Sequence, residues 1–201
     1  MFFEEHAKLL ADFARVSQAA GARADYVQSG GGNTSVKLPG GLMAIKASGF
    51  CLSDIHPDQA YAVLDGADLR NFYLTTEPSE LADVEKEGSA RAKADVRHID
   101  GLADLRPSVE AGFHSILKTF VVHTHSVYAN LAACSTACRP IAAQAFAGAN
   151  YTWGWVPYTD PGANLTFAIR DELRRVEAET GKVPSVILMQ NHGIIVHDDD
   201  P

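Results

Sequence analysis

The sequence has only three cysteines, Cys51, Cys134 and Cys138. An odd, sparse set makes no disulfide framework, so a reducing, cytoplasmic setting is expected. Cys134 and Cys138 stand four apart in an expected helix and read as core thiols. No apolar run approaches the roughly 20 residues of a membrane span. The opening, MFFEEHAKLL, has acids where a secretory signal carries bases. Basic residues are outnumbered, 17 Lys+Arg against 25 Asp+Glu, for a formal net charge of -8. That balance, with no Lys/Arg cluster, excludes a nucleic-acid platform built on a basic stripe. Repeats, low-complexity tracts and Pro/Ser-rich linkers are missing too. What remains is an ordinary globular composition, 46% hydrophobic and 21% charged. Its length suits one large domain over residues 1–201.

The hydrophobic pattern alternates between helical and strand-like stretches. Residues 3–20 read as an amphipathic helix, with Leu9, Leu10, Phe13 and Val16 on one stripe and Gly21 as the stop. SGGGNTSVKLPGGLMAIKASG (29–49) reads as a glycine-rich turn and two strands joined by a Pro-Gly-Gly hairpin. His56-Pro57-Asp58 is expected to open a helix, and 78–95 to form an exposed helix or mobile cover. Ser108 can cap a helix from Val109 to about Lys118. FVVHTH (120–125) is an expected strand, followed by an Ala-rich helix after Ser126. Asp160-Pro161 is expected to open a helix that runs to about Glu179 and stops at Gly181. SVILMQNHGIIVHD (185–198) then makes two strands broken at Asn191-His192-Gly193. The alternation predicts an α/β sandwich. The ending, HDDDP directly after a strand, is the one expected of a fragment or of one domain of a longer chain.

Chemistry concentrates at a few positions. His123 and His125 are i and i+2 in an extended segment, so both rings fall on one face with Thr124 turned away. A hydrogen-bonded structural pair and a metal site both fit that spacing. His192, at the break between two strands, adds a third imidazole. Three nitrogen ligands with an open fourth position is the catalytic zinc pattern, and zinc suits such donors. Glu110 reads either as a capping carboxylate at a helix N-terminus or as an acid/base group beside the metal. His114, one turn on, could orient it or simply fill the core. GGGNTS (30–35), KASG (46–49) and RPSV (106–109) each offer short donors at a turn, which together could cradle an anion.

In that order, GGNTS, KASG, RPSVE…H, VVHTHS and NHG resemble the class II aldolase/adducin family over residues 31–193. The segment GWVPYTDPG looks most like the aldolase half of bifunctional rhamnulose-phosphate aldolase/dehydrogenase proteins. The resemblance implies a three-layer sandwich with a mostly antiparallel central sheet flanked by helices. It implies zinc, or another divalent ion, on His123, His125 and His192, with Glu110 as the catalytic carboxylate. Phosphate contacts are implied at Asn33, Thr34, Ser48, Gly49 and Ser108. The implied activity is retro-aldol cleavage of a ketose phosphate by a homotetramer, with Glu110 raised toward neutrality by burial. A sugar-phosphate 4-epimerase and a lyase or decarboxylase acting on a non-phosphorylated acid are the rival enzymes. A non-catalytic adducin-like interaction domain is the rival outside enzymology. Two departures stand out. The family's second serine before the glutamate is Val109 here, and no tyrosine matches the family's proton donor unless Tyr151 or Tyr158 substitutes.

Overall fold

The computed structural model describes residues 1–201. In chain order the elements are α1 (Phe2–Glu5), α2 (Ala7–Gly21), β1 (Asn33–Leu38), β2 (Leu42–Lys46), β3 (Tyr61–Asp65), α3 (Gly66–Thr75), α4 (Val84–Ala94) and β4 (Val96–Arg97). They continue with α5 (Ala111–Ile116), β5 (Phe120–Thr124), α6 (Val127–Ala133), α7 (Cys138–Ala145), β6 (Trp153–Val156), α8 (Ala163–Thr180), β7 (Val186–Met189) and β8 (Gly193–Asp198).

The strands form one eight-stranded sheet in the order β4-β3-β2-β1-β5-β8-β7-β6. Every pairing is antiparallel except β6 with β7. Period-two alternation sorts the side chains into two cores. Met43 and Ile45 of β2, Ala62 and Leu64 of β3 and Val121 of β5 pack under α3, α5 and α8. Ala44, Tyr61, Val63 and Phe120 point the other way, onto Leu10, Phe13 and Ala14 of α2. A smaller cluster seats Cys138 and Ala142 of α7 on Trp155 and Leu188. Helices on both faces of a mostly antiparallel sheet are the three layers expected from the sequence.

Several local expectations are corrected. His56-Pro57-Asp58 opens no helix: His56 bridges Gln59 in a tight turn that leads into β3, and the helix waits until Gly66. The first helix is interrupted at His6. The helix after Ser108 starts only at Ala111 and ends at Ile116. Two helices, not one, follow Ser126. Cys138 is buried but Cys134 is exposed, so only one of the two is a core thiol. Asp160 does not cap α8. Glu85, from α4, reaches across instead and accepts from the backbone N–H of Ala163 (2.9 Å) and Asn164 (2.8 Å). A carboxylate at a helix N-terminus meets free donors and the positive dipole end, wherever in the chain it comes from.

Candidate metal centre

Two neighbouring strands, β5 and β8, deliver the histidines. His123 shares the face of Val121 on β5, and His125 follows at the strand exit on the same side. β8 pairs with β5 so that Ile195 lies opposite His123 and Ile194 opposite Thr124. The turn before β8 therefore lands beside the pair. Asn191 there adopts φ 53°, a left-handed conformation asparagine tolerates, and carries the chain through His192 into β8. A Cβ at Gly193 would run into the Thr124 carbonyl and stand 3.2 Å from ring carbons of both His123 and His125, so only glycine fits.

The rings converge. His123 and His125 bring their Nε2 atoms to 3.1 Å. The His192 ring centroid lies 4.9 Å from that of His123 and 5.2 Å from that of His125. One potential ligand atom from each of the three lies within 4.8 Å of the others. His123 Nδ1 donates to the Ile194 carbonyl at 3.1 Å, which leaves the lone pair on Nε2 facing inward. Burial depresses the His123 imidazole to about 4, only partly opposed by Glu110, and lowers His125 as well. His123 and His125 are thus favoured in the neutral form, the one that binds metal. Without an ion, His125 Nε2–H can donate to the His123 Nε2 lone pair; with the His125 proton on Nδ1 instead, both lone pairs face one point where a cation could sit. Zinc–nitrogen bonds at tetrahedral angles would set ligand nitrogens roughly 3.3 Å apart, close to the spacing here. Next to them, His192 Nδ1 and Glu110 Oε1 are buried without a hydrogen-bond partner. The donor set fits a divalent ion.

Glu110 stands at the N-cap position of α5, yet its side chain makes no capping bond. It turns instead into the cluster, with Oε2 3.6 Å from His123 Nε2 and Oε1 3.2 Å from His192 Nε2. Asn33 Nδ2 donates to Oε2 at 2.6 Å. Burial pushes the carboxyl up, but His123, His192 and the Asn33 donor outweigh it and hold Glu110 well below its ordinary value. The upward shift expected from burial alone is therefore corrected to a downward one.

The three donor turns also meet. Ser48 N–H donates to the Arg106 carbonyl at 2.9 Å, and Arg106 Nη2 donates to Ser48 Oγ at 3.1 Å. Asn33 Nδ2 donates to Ser108 Oγ at 3.1 Å, so Ser108 borders both the carboxylate and the turns. Gly49 takes φ 92°, with open space where a Cβ would point. Beneath, the buried Lys46 ties the glycine-rich turn to this loop by donating to the carbonyls of Gly30 (3.2 Å) and Phe50 (2.7 Å). Thr34 is not part of the group: its hydroxyl lies on the opposite sheet face, 2.6 Å from Ser17 Oγ. Val109 is exposed and adds no donor. Arg106 and Lys46 join the group beyond the short donors expected there, and a cation within RPSV and within KASG is the signal along the chain that marks them. Tyr151 packs on Phe146 and Tyr158 donates to Asp160, both at the surface.

With this geometry in place, known proteins supply the comparison. Residues 11–201 match the family described as Class II Aldolase and Adducin N-terminal domain. No curated protein sequence matches. Among solved structures, the N-terminal class II aldolase domain of a conserved protein from Thermoplasma acidophilum superposes with a TM-score of 0.73 at 21% identity, over 94% of this chain and 83% of that one. YgbL from Klebsiella pneumoniae, for which aldolase, epimerase and decarboxylase activities are all open, gives 0.60 at 17%, over 97% and 80%. An L-fuculose-1-phosphate aldolase from Thermus thermophilus gives 0.53 at 15%, over 95% and 79%. At such identities these likenesses speak for the fold, while the match over nearly the whole chain speaks for kinship. The chain belongs to the class II aldolase and adducin N-terminal domain family.

Proposed function

We propose that the protein is a zinc-dependent aldehyde-lyase that reversibly cleaves a ketose phosphate by a retro-aldol reaction. The observation that carries this reading is the buried Glu110 carboxylate within 3.6 Å of His123 and 3.2 Å of His192. A structural carboxylate would have capped α5; this one is spent on the cluster. His123, His125 and His192 would hold the ion, which when bound supplies Lewis acidity toward negative charge developing on substrate oxygens.

In cleavage, Glu110 takes the C4 hydroxyl proton as the C3–C4 bond breaks, leaving an aldehyde and an enediolate. It then returns that proton to the enediolate carbon to complete the ketone fragment. In the reverse direction it removes the proton from that carbon and gives it to the C4 oxygen. Ser48, Ser108, the backbone at Gly49 and the Arg106 guanidinium would bind the phosphate, and so fix the reacting carbons against Glu110. Val127, Tyr128 and Leu131 of α6, the helix that follows His125, are exposed apolar side chains, as are Ile141 and Tyr151. Such surface supports a homotetramer with the site near a subunit boundary.

The missing serine at Val109 favours one other reading, a lyase or decarboxylase acting on a non-phosphorylated acid. The decisive experiment is metal analysis of the purified protein, followed by an aldehyde-release screen over ketose 1-phosphates and their dephosphorylated counterparts. Release from a phosphorylated ketose, abolished by chelation and restored by zinc, is the expected result. Turnover confined to the non-phosphorylated set would favour the other reading, and no turnover with no bound metal would favour an adducin-like interaction domain.

A further inference from the structure

Asn33 was expected at the phosphate, but its amide is used up inside the protein. Nδ2 has two hydrogens, and two acceptors face it: Glu110 Oε2 at 2.6 Å and Ser108 Oγ at 3.1 Å. Oδ1 faces His114 Nε2 in a short hydrogen bond. On the far side of that ring, Nδ1 lies 2.7 Å from Ser35 Oγ. Asn33 and Ser35 are i and i+2 on β1, so both reach one imidazole from the same sheet face. Asn33, Ser35, Glu110 and His114 are all buried.

Only one arrangement of protons satisfies this chain. If the Asn33 amide were flipped, its carbonyl oxygen would confront the Glu110 carboxylate at hydrogen-bond distance, two acceptors with no proton. Nδ2 must therefore face Glu110 and Oδ1 must face His114. That carbonyl needs a donor, so His114 carries its proton on Nε2 and accepts the Ser35 hydroxyl on Nδ1. Burial keeps the ring neutral, well below its ordinary value, as a single tautomer requires. Ser35 thus sets the tautomer of His114, His114 sets the rotamer of Asn33, and Asn33 aims Glu110.

We propose that Asn33, gripped through its carbonyl by His114, is a positioning residue that fixes Glu110 against the histidine cluster. The proposal rests on the reading of Glu110 as the acid/base group, and it has readouts that do not depend on that reading.

The test uses the zinc-loaded protein and the variants Asn33→Ala, His114→Gln and His114→Leu. Nitrogen-15 NMR of the parent should show His114 protonated at Nε2; protonation at Nδ1 would overturn the proton arrangement. Crystal structures of Asn33→Ala should show Glu110 leaving the position beside His192; an unmoved carboxylate would overturn the proposal outright. With inorganic phosphate as the probe, Asn33→Ala should bind within twofold of the parent, whereas a tenfold or greater loss would make Asn33 a phosphate contact after all. Turnover should fall about a hundredfold with KM held, the cost of a catalytic group displaced by about 1 Å. His114→Gln, which keeps an N–H to donate to Asn33, should recover activity that His114→Leu lacks, and equal loss in both would count against the relay. Should Glu110→Gln prove fully active, the acid/base reading fails, while the tautomer, the carboxylate position and the phosphate affinity still decide the role of Asn33.

Discussion

Asn33 and His123 lie directly opposite each other where β1 pairs with β5. This one register sets the candidate site: it places the residue that donates to Glu110 next to the most buried imidazole of the cluster. A slip by one residue would turn both side chains to the α2 face.

Glu110→Gln preserves shape but cannot take up a proton under working conditions. Turnover should fall at least ~10²-fold, the lower end for general acid–base groups, with zinc content and melting temperature close to those of the parent. His123→Ala should instead lose zinc and activity together. Parallel measurement of bound metal and turnover on the two variants separates the roles. A Glu110→Gln protein that is destabilised yet fully active per folded molecule would restore the capping reading.

Gly193→Ala tests the packing of the turn against the histidines. The added methyl would meet the Thr124 carbonyl and crowd both rings at 3.2 Å. Overpacking of this kind costs about 1–3 kcal/mol, and displaced ligands typically lose ~10–100-fold in metal affinity. Denaturant melts and competitive zinc titration would measure both. Unchanged zinc affinity would show that the rings tolerate the shift.

Stability of the metal-free protein should depend on pH through its buried histidines. Burial depresses His123 to about 4 and His197 to about 4, and lowers His114 and His125 as well. These groups bind fewer protons folded than unfolded, so stability rises with pH from about 4 to the ordinary histidine value near 6.5 and is complete above it. Acidification through that window should cost at most about 3 kcal/mol for each of the two most clearly shifted groups. Urea melts at pH 7 and pH 5 would check the sign. His197→Asn, at the opposite end of β8 from the metal ligands, should flatten the slope by about one proton, whereas zinc, which binds only neutral rings, should keep or steepen it.

Much of this arrangement is legible along the chain because it is local. The i, i+2 pairing of His123 and His125, the strand break at His192, the hairpin before β2 and the stop at Gly181 all follow from short-range periodicity and turn chemistry. So does the sorting of β2 into Met43 and Ile45 on one face and Ala44 on the other. What spans the sheet is different in kind. Whether Glu110 caps its own helix or turns to imidazoles 13 and 82 residues away depends on where β5 and β8 come to rest. The sign of its pKa shift depends on donors that only that placement supplies. Thr34 carries a hydroxyl suited to an anion site, yet strand alternation and the position of α2 deliver it to Ser17 instead. Asp160 had the local signature of a helix cap, but Glu85 holds the end of α8 because tertiary packing brings α4 to it. Local pattern determined which residues could act; the pairing of distant strands, which no short window of sequence encodes, decided which of them meet.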